Sequence, residues 1–232
     1  MFTGPDVMFT GQDLTVIVPM LGRAHHVEPL LANILDTVPD AQVLFCVTDN
    51  DNAVIHEMNR LHAEHIFVQK RSFGDYARKI NQGLEATSRE LVFLGADDLK
   101  FHQGWFEAAL SVLTPGVGVI GTNDLGSPRV MAGEHSTHSL VTRTYAVRYG
   151  TIDEPGKILH EGYTHEFVDD ELVGTAKFRK AWAFAVDAKV EHMHPNWGKA
   201  PKDHLYALQR RRMIGPRGQR LFLTRERMWT LR

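Results

Sequence analysis

The sequence predicts an α/β protein with a mostly parallel central sheet and helices on both faces. Three observations carry this. Short β-branched apolar runs recur along the first half, segments of helical period separate them, and the residues that follow each run are polar.

The first run, residues 14–18, is apolar on both faces, and Pro19 is expected to end it. Val27, Leu30, Leu31, Ile34, Leu35 and Val38 then recur at helical spacing, with Pro29 in the first turn where proline is tolerated. Residues 42–48 form a second strand. Residues 53–65 place Val54, Ile55, Met58 and Leu61 on one helical face, and 66–69 form a third strand. The alternation continues with a helix over 74–87, a strand over 91–94, a helix over 105–113 and a strand over 117–120. From Gly121 the rhythm changes to Gly- and Ser-containing segments, with a strand over 139–143, a helix over 167–176 and a strand over 181–186. No repeat or long linker divides the chain, so a single domain is expected.

With 232 residues, 43% hydrophobic and 23% charged, the chain can bury a sizeable core, which excludes disordered and collagen-like classes. No apolar run approaches the roughly 18 residues of a membrane span, and the N-terminal dozen with Gly4, Pro5 and Gly11 reads as a loose lead-in without signal-peptide character. A single Cys46 fits a reducing compartment, and a cytoplasmic location is expected. The formal net charge of −2 gives no global reason for a nucleic-acid or membrane partner. Its distribution is uneven: eight Arg face one Glu between residues 210 and 232. This basic tail suits a solvated helix, an oligomer contact or phosphates of a nucleic-acid acceptor.

In such sheets ligands bind beyond the carboxyl ends of the strands. Those ends carry Pro19 to Arg23, Thr48-Asp49-Asn50-Asp51, Lys70 to Gly74, and Gly95-Ala96-Asp97-Asp98, a mixture of carboxylates, amides, cations and glycines that suits a nucleotide. Asp97 and Asp98 follow a fully apolar strand, where adjacent carboxylates repel unless a cation compensates them. The same letters also suit a turn or a helix cap.

The stations Thr15-Val16-Ile17-Val18-Pro19 with Arg23, Asp49, Gly74 through Asn81-Gln82-Gly83-Leu84, and Leu91 through Asp98 resemble, in that order, inverting glycosyltransferases of the GT-A fold, family 2. The likeness covers roughly residues 14–120. It implies transfer of a sugar from a nucleoside diphosphate donor, with UDP expected, assisted by Mn2+ or Mg2+. Residues 14–120 would be the nucleotide-sugar half, 121–209 the acceptor and catalytic half, and 210–232 the tail. Asp49 stands where the family contacts the base, and Pro19 and Ala96 lie in the donor stretches. Gly95 replaces the first acid of the family's Asp-x-Asp and leaves Asp97 as the matching metal ligand. Ile80 replaces an Arg before Asn81, whose charge Arg78 or Lys79 would supply.

His192 and His194, which an extended backbone would aim the same way, resemble the late histidine that completes the family's metal shell. Asp169 and Asp170 resemble the acidic pair at an acceptor-side helix, with Asp170 the first candidate for catalytic base and Asp169 the second; a solvated acidic first turn explains the same residues. Residues 195–203 read as a lid or as an ordinary surface loop, with Lys199 or Lys202 available to phosphate and Trp197 to a sugar. The stretch 194–201 and the lack of membrane segments are similar to phage-encoded or bacterial soluble members, for which the acceptor is a protein, a modified DNA base or a glycan. Two other readings stay open: a nucleotidyltransferase on a related sheet, and a non-catalytic module that binds nucleotide sugar or nucleic acid.

Overall fold

Along the chain, Leu14–Met20 (β1), Val27–Thr37 (α1), Gln42–Thr48 (β2), Asn52–Leu61 (α2), His65–Val68 (β3), Tyr76–Ala86 (α3) and Leu91–Leu94 (β4) alternate. The second half adds Leu99–Phe101 (β5), Trp105–Ser111 (α4), Val119–Asn123 (β6), Pro128–Met131 (α5), Ser139–Thr142 (β7), Arg143–Arg148 (α6), Val168–Phe178 (α7), Trp182–His192 (β8), His204–Arg211 (α8) and Ile214–Thr230 (α9). These elements come from a computed structural model that describes residues 8–71, 75–212 and 214–231. Gly4 and Pro5 of the lead-in, Ser72 to Gly74 of the third strand-end loop and Arg232 of the tail lie outside the described residues.

The strands form one sheet in the order β3-β2-β1-β4-β7-β6-β8-β5. The block β3-β2-β1-β4 is parallel, β7 runs antiparallel to both β4 and β6, β8 is parallel to β6, and β5 closes the far edge antiparallel to β8. A strand sends successive side chains to opposite faces, so Leu14, Val16, Val18 and Met20 of β1 pack with α1, α2 and α4, while Ile17 packs on the other face with α3, α6 and α7. Thr15, also on that second face, satisfies its hydroxyl inside the core against Gln42 and Thr87. Phe93, Phe101 and Trp105 lock β4, β5 and α4 together with ring centroids 5.1 to 5.3 Å apart.

Several boundaries differ from the sequence expectation for identifiable reasons. Pro19 lies inside β1, paired with Cys46. The N–H of Gly95 meets the carbonyl of Ile17, so β1 residues of that parity face β4, which ends at Leu94; at Pro19 no donor is needed. The second helix stops at Leu61 because His62 turns left-handed (φ +51°), which frees Ala63 to Glu64 to lead into β3. β5, absent from the sequence reading, is three residues long, too short for a periodicity signal. β8 runs six residues beyond the expected end at 186, carried past an irregularity where Thr122 opposes Ala185 but Asn123 opposes Lys189.

Among the described residues the basic tail folds as the last two residues of α8 and as α9. α9 packs on α7, and its Arg225, 7% exposed, meets Glu171 at 2.7 and 2.8 Å and Asp153 at 2.6 and 3.0 Å. Glu171 also accepts from the Tyr163 hydroxyl at 2.8 Å. Replacing one partner of a buried pair strands the other charge. Arg225→Met is therefore expected to lower unfolding free energy by about 3–5 kcal/mol in urea titrations; a loss under about 1 kcal/mol, the range of an exposed pair, contradicts this account of the tail.

Candidate active site

Beyond the carboxyl ends of β1, β2 and β4 lies a cavity of about 470 Å³. Its wall includes Pro19 and Arg23 after β1, Lys79 of α3, Ala96, Asp97 and Asp98 after β4, His138 before β7, Asp169 and Asp170 of α7, His192 and His194 at the end of β8, and Tyr206 of α8. Most of the candidate site residues thus converge on one space. Four do not line it: Asp49, Arg78, Asn81 and Lys199.

Those four have local employment. Asp49 is exposed at the end of β2 and accepts from the Lys70 amide at 3.3 Å. Arg78 donates to the Gln69 carbonyl and to Asp75 at 3.2 Å. Asn81 clamps the loop at Leu159, donating to its carbonyl at 2.8 Å and accepting from its amide at 3.1 Å. Gly83, its partner in the Asn-x-Gly, lets α3 approach β1, for a Cβ there would stand 2.6 Å from an Ile17 methyl. Lys199 is held by the Leu125 carbonyl and by Glu191, each at 2.8 Å. Trp197 packs over Gly126 in a short helical turn, Pro195–Trp197, which His194 caps through Nδ1.

The acidic turn is built by the sheet. β5 pairs with β8 so that Leu99 lies opposite His192, and the Met193 amide donates to the Asp98 carbonyl at 2.8 Å. His192 Nε2 consequently stands 3.4 Å from Asp98 Oδ2, although 94 positions separate the two residues. The Tyr206 hydroxyl donates to the same oxygen at 2.8 Å. Asp97 is turned toward Arg23, 2.8 Å away, and Arg23 reaches on to Asp203 at 2.8 Å while lying over the Tyr206 ring. Sequence reasoning passed over Tyr206, which no motif marks.

Burial and the Asp98 charge raise the Asp97 carboxyl above its usual range, with Arg23 opposing. Burial pushes Asp98 the same way, but hydrogen bonds from His192 and Tyr206 outweigh it and hold that carboxyl low. His192 is driven down by burial and more than recovered by Asp98. His194, without such a partner, falls to about 4. The donor set fits a divalent cation: three carboxylates, Asp97, Asp98 and Asp203, share the single guanidinium of Arg23, so the corner keeps an excess of negative charge beside an imidazole. His192 is better placed than His194 to join Asp98, because its Nε2 already stands 3.4 Å from that carboxylate, while His194 uses Nδ1 to cap the 195–197 turn.

Across the cavity, α7 is preceded by Phe167, which is left-handed (φ 70°) and supplies no side-chain cap, and the helix dipole favours Asp169 and Asp170 in the first turn. His135 Nε2 donates to Asp169 at 3.1 Å, and Arg129 meets Asp170 at 3.0 Å. One ligand atom each of His135, Asp169 and Asp170 lies within 4.8 Å of the others. Burial lowers His138 to about 4; its Nδ1 donates to the Leu94 carbonyl at 3.0 Å. Neither His135 nor His138 carries a sequence signal, since both lie in an irregular stretch.

Lys79 joins the ends of two strands, donating to the Met20 carbonyl and to Thr48 Oγ1 at 2.8 Å. Burial pulls its ammonium down to about 8 from 10.5. Folding therefore disfavours the charged form, a cost fully present below about pH 8 and removed as pH rises toward 10.5. Relative to Lys79→Met, the wild-type protein is expected to gain stability across that interval, by up to roughly 3 kcal/mol; parallel thermal-melting profiles of the two proteins contradict it.

No protein-family model matches the chain, and no curated protein matches it. Solved structures do. A mannosyltransferase from Pyrobaculum calidifontis, in complex with GDP-Man and Mn2+, is 17% identical, with 96% of this chain and 68% of that one covered at a TM-score of 0.62. Glucosyl-3-phosphoglycerate synthase from Mycobacterium tuberculosis, in complex with Mn2+, UDP and glucosyl-3-phosphoglycerate, is 12% identical, with 93% and 79% covered at a TM-score of 0.62. The same synthase with Mn2+, UDP-Glc and phosphoglyceric acid is 15% identical, with 89% and 79% covered at a TM-score of 0.58. The architecture these structures share with this chain is the GT-A fold.

Proposed function

We propose that this chain is a divalent-metal-dependent glycosyltransferase that moves a sugar from a nucleoside diphosphate donor to an acceptor hydroxyl with inversion. The observation that carries the reading is the pairing, across one cavity, of the Asp97-Asp98 turn beside His192 with the acidic start of α7. The fold supports it, because neighbours that share it were solved with Mn2+ and with UDP or GDP sugars.

Asp97, Asp98 and His192 would hold the ion. When bound, it supplies Lewis-acid stabilisation of the departing diphosphate. Asp170 accepts the acceptor's proton as its oxygen attacks the anomeric carbon from the face opposite the leaving group, which inverts the configuration. Between the two carboxylates, Asp170 suits this work: burial and the adjacent Asp169 raise it, whereas Asp169 is held low against its own burial by His135. Arg23 and Tyr206 hold the acidic turn, and Arg23 ties it to Asp203 ahead of α8. UDP is the expected nucleotide, with Asp49 at the base end; the acceptor is a protein, a modified DNA base or a glycan.

Titration calorimetry with UDP and GDP, with and without Mn2+, tests donor binding. Metal-dependent affinity for one nucleotide is expected, and its loss in Asp97→Asn and His192→Ala; affinity that ignores both substitutions contradicts the assigned metal residues. Asp170→Asn is expected to keep that affinity while lowering transfer by about 10²–10⁴. If Asp169→Asn does so and Asp170→Asn does not, the base is the other carboxylate. Pyrophosphate release from a nucleoside triphosphate, with no nucleoside diphosphate released from a nucleotide sugar, would instead identify a nucleotidyltransferase.

A further inference from the structure

His135 lies behind the cavity wall, 6% exposed, on the segment between α5 and β7. Its Nε2 stands 3.1 Å from Asp169 Oδ2. A carboxylate only accepts, so Nε2 carries the proton and the tautomer is set. The opposite nitrogen, Nδ1, is buried without a hydrogen-bond partner and faces Asp170 Oδ1 at 4.0 Å. One imidazole thus touches both carboxylates of the pair unequally, bonded to one and merely near the other.

Asp170 has a different neighbour. Arg129 meets its Oδ1 at 3.0 Å, but that arginine is 60% exposed in its side chain, so the contact is weak and easily opened by a ligand. We propose that His135 is a positioning residue: its bond to Asp169 fixes that carboxylate as a standing anion and leaves Asp170 as the group that takes the acceptor's proton. This rests on the glycosyltransferase reading. The acceptor O–H bond breaks as the oxygen bonds to the anomeric carbon, the proton passes to Asp170, and the electron pair of the sugar–phosphate bond leaves with the diphosphate. The standing charge on Asp169 keeps the proton on Asp170 favourable once it arrives.

The charged and titratable groups around the pair are Arg129 from α5, His135 and His138 from the segment before β7, His165 and Glu166 ahead of α7, His192 at the end of β8, and the Tyr76 and Tyr163 phenols. Among these, His135 makes the side-chain hydrogen bond to Asp169.

The experiment compares His135→Asn, whose amide reaches only the Nδ1 position, with His135→Gln, whose amide reaches the Nε2 position and can still donate to Asp169. Carbon-13 carboxyl NMR titration reads Asp169 and Asp170 directly in the ligand-free protein. Nucleotide release from GDP-mannose and UDP-glucose with Mn2+ supplies kcat and KM against pH. In His135→Asn the Asp169 titration is expected to move upward, the acid limb of kcat to shift to higher pH, and kcat at pH 7 to fall about tenfold at unchanged KM, the size of one lost hydrogen bond to a charged group; His135→Gln restores most of this. Equal impairment of both variants, an unmoved Asp169 titration, or Mn2+ affinity that drops in His135→Asn would overturn the assignment, the last by making the trio a metal site. Wild-type protein that releases nucleotide from neither donor, while the carboxyl titrations shift as expected, overturns the glycosyltransferase reading and the catalytic part of the assignment with it.

Discussion

A three-residue strand pairing holds this site together. β5 and β8 lie far apart in sequence, and their antiparallel register sets His192 against Leu99, one position from the acidic turn. Shifting β8 by one residue would send His192 to the opposite face of the sheet and leave Asp98 without its imidazole. The register is secured from three sides: the Met193 amide on the Asp98 carbonyl, the His192 amide on the Asp124 carbonyl, and the Phe93, Phe101 and Trp105 rings beneath β5. Packing and backbone bonds thus hold two half-buried carboxylates where electrostatics alone would push them apart.

The cavity has two acidic walls with different chemistry. At the strand ends, Asp97 and Asp98 meet the Arg23 guanidinium and the His192 imidazole, with Asp203 ahead of α8 sharing the same guanidinium, an arrangement that invites a cation. At the start of α7, Asp169 and Asp170 meet an imidazole and an exposed guanidinium, and the helix dipole absorbs part of their charge. Unequal partners push the two α7 carboxylates in opposite directions, Asp169 held low by His135 against its burial and Asp170 raised by burial and by Asp169, the asymmetry on which the proposed division of roles rests. The tail braces this second wall from behind, since Arg225 on α9 meets Glu171, the neighbour of Asp170 in the first turn of α7.

The first half of the fold was readable because β1, β2 and β4 are buried on both faces and appear as short, largely apolar runs. β4 was legible to the residue. β5 and the far half of β8 were not: one is too short for a pattern, and the other alternates through an irregularity. The strand-end rule found Pro19, Arg23, Ala96 and Asp97, and the acidic motif found Asp169 and Asp170, all of which reach the cavity. Motif matching said nothing of where Asn81, Arg78 and Lys199 spend their hydrogen bonds, and each is drawn to a backbone carbonyl outside the cavity wall. His135, His138 and Tyr206 lie in or after irregular segments, where only tertiary structure reveals their partners.

The most direct measurement is anomalous diffraction from a crystal grown with Mn2+ and a nucleoside diphosphate. A manganese peak is expected in contact with the Asp97-Asp98 turn and His192, with the diphosphate alongside it in the cavity. A peak among His135, Asp169 and Asp170 with the Asp97-Asp98 turn still closed on Arg23, or nucleotide bound outside the cavity, would contradict it.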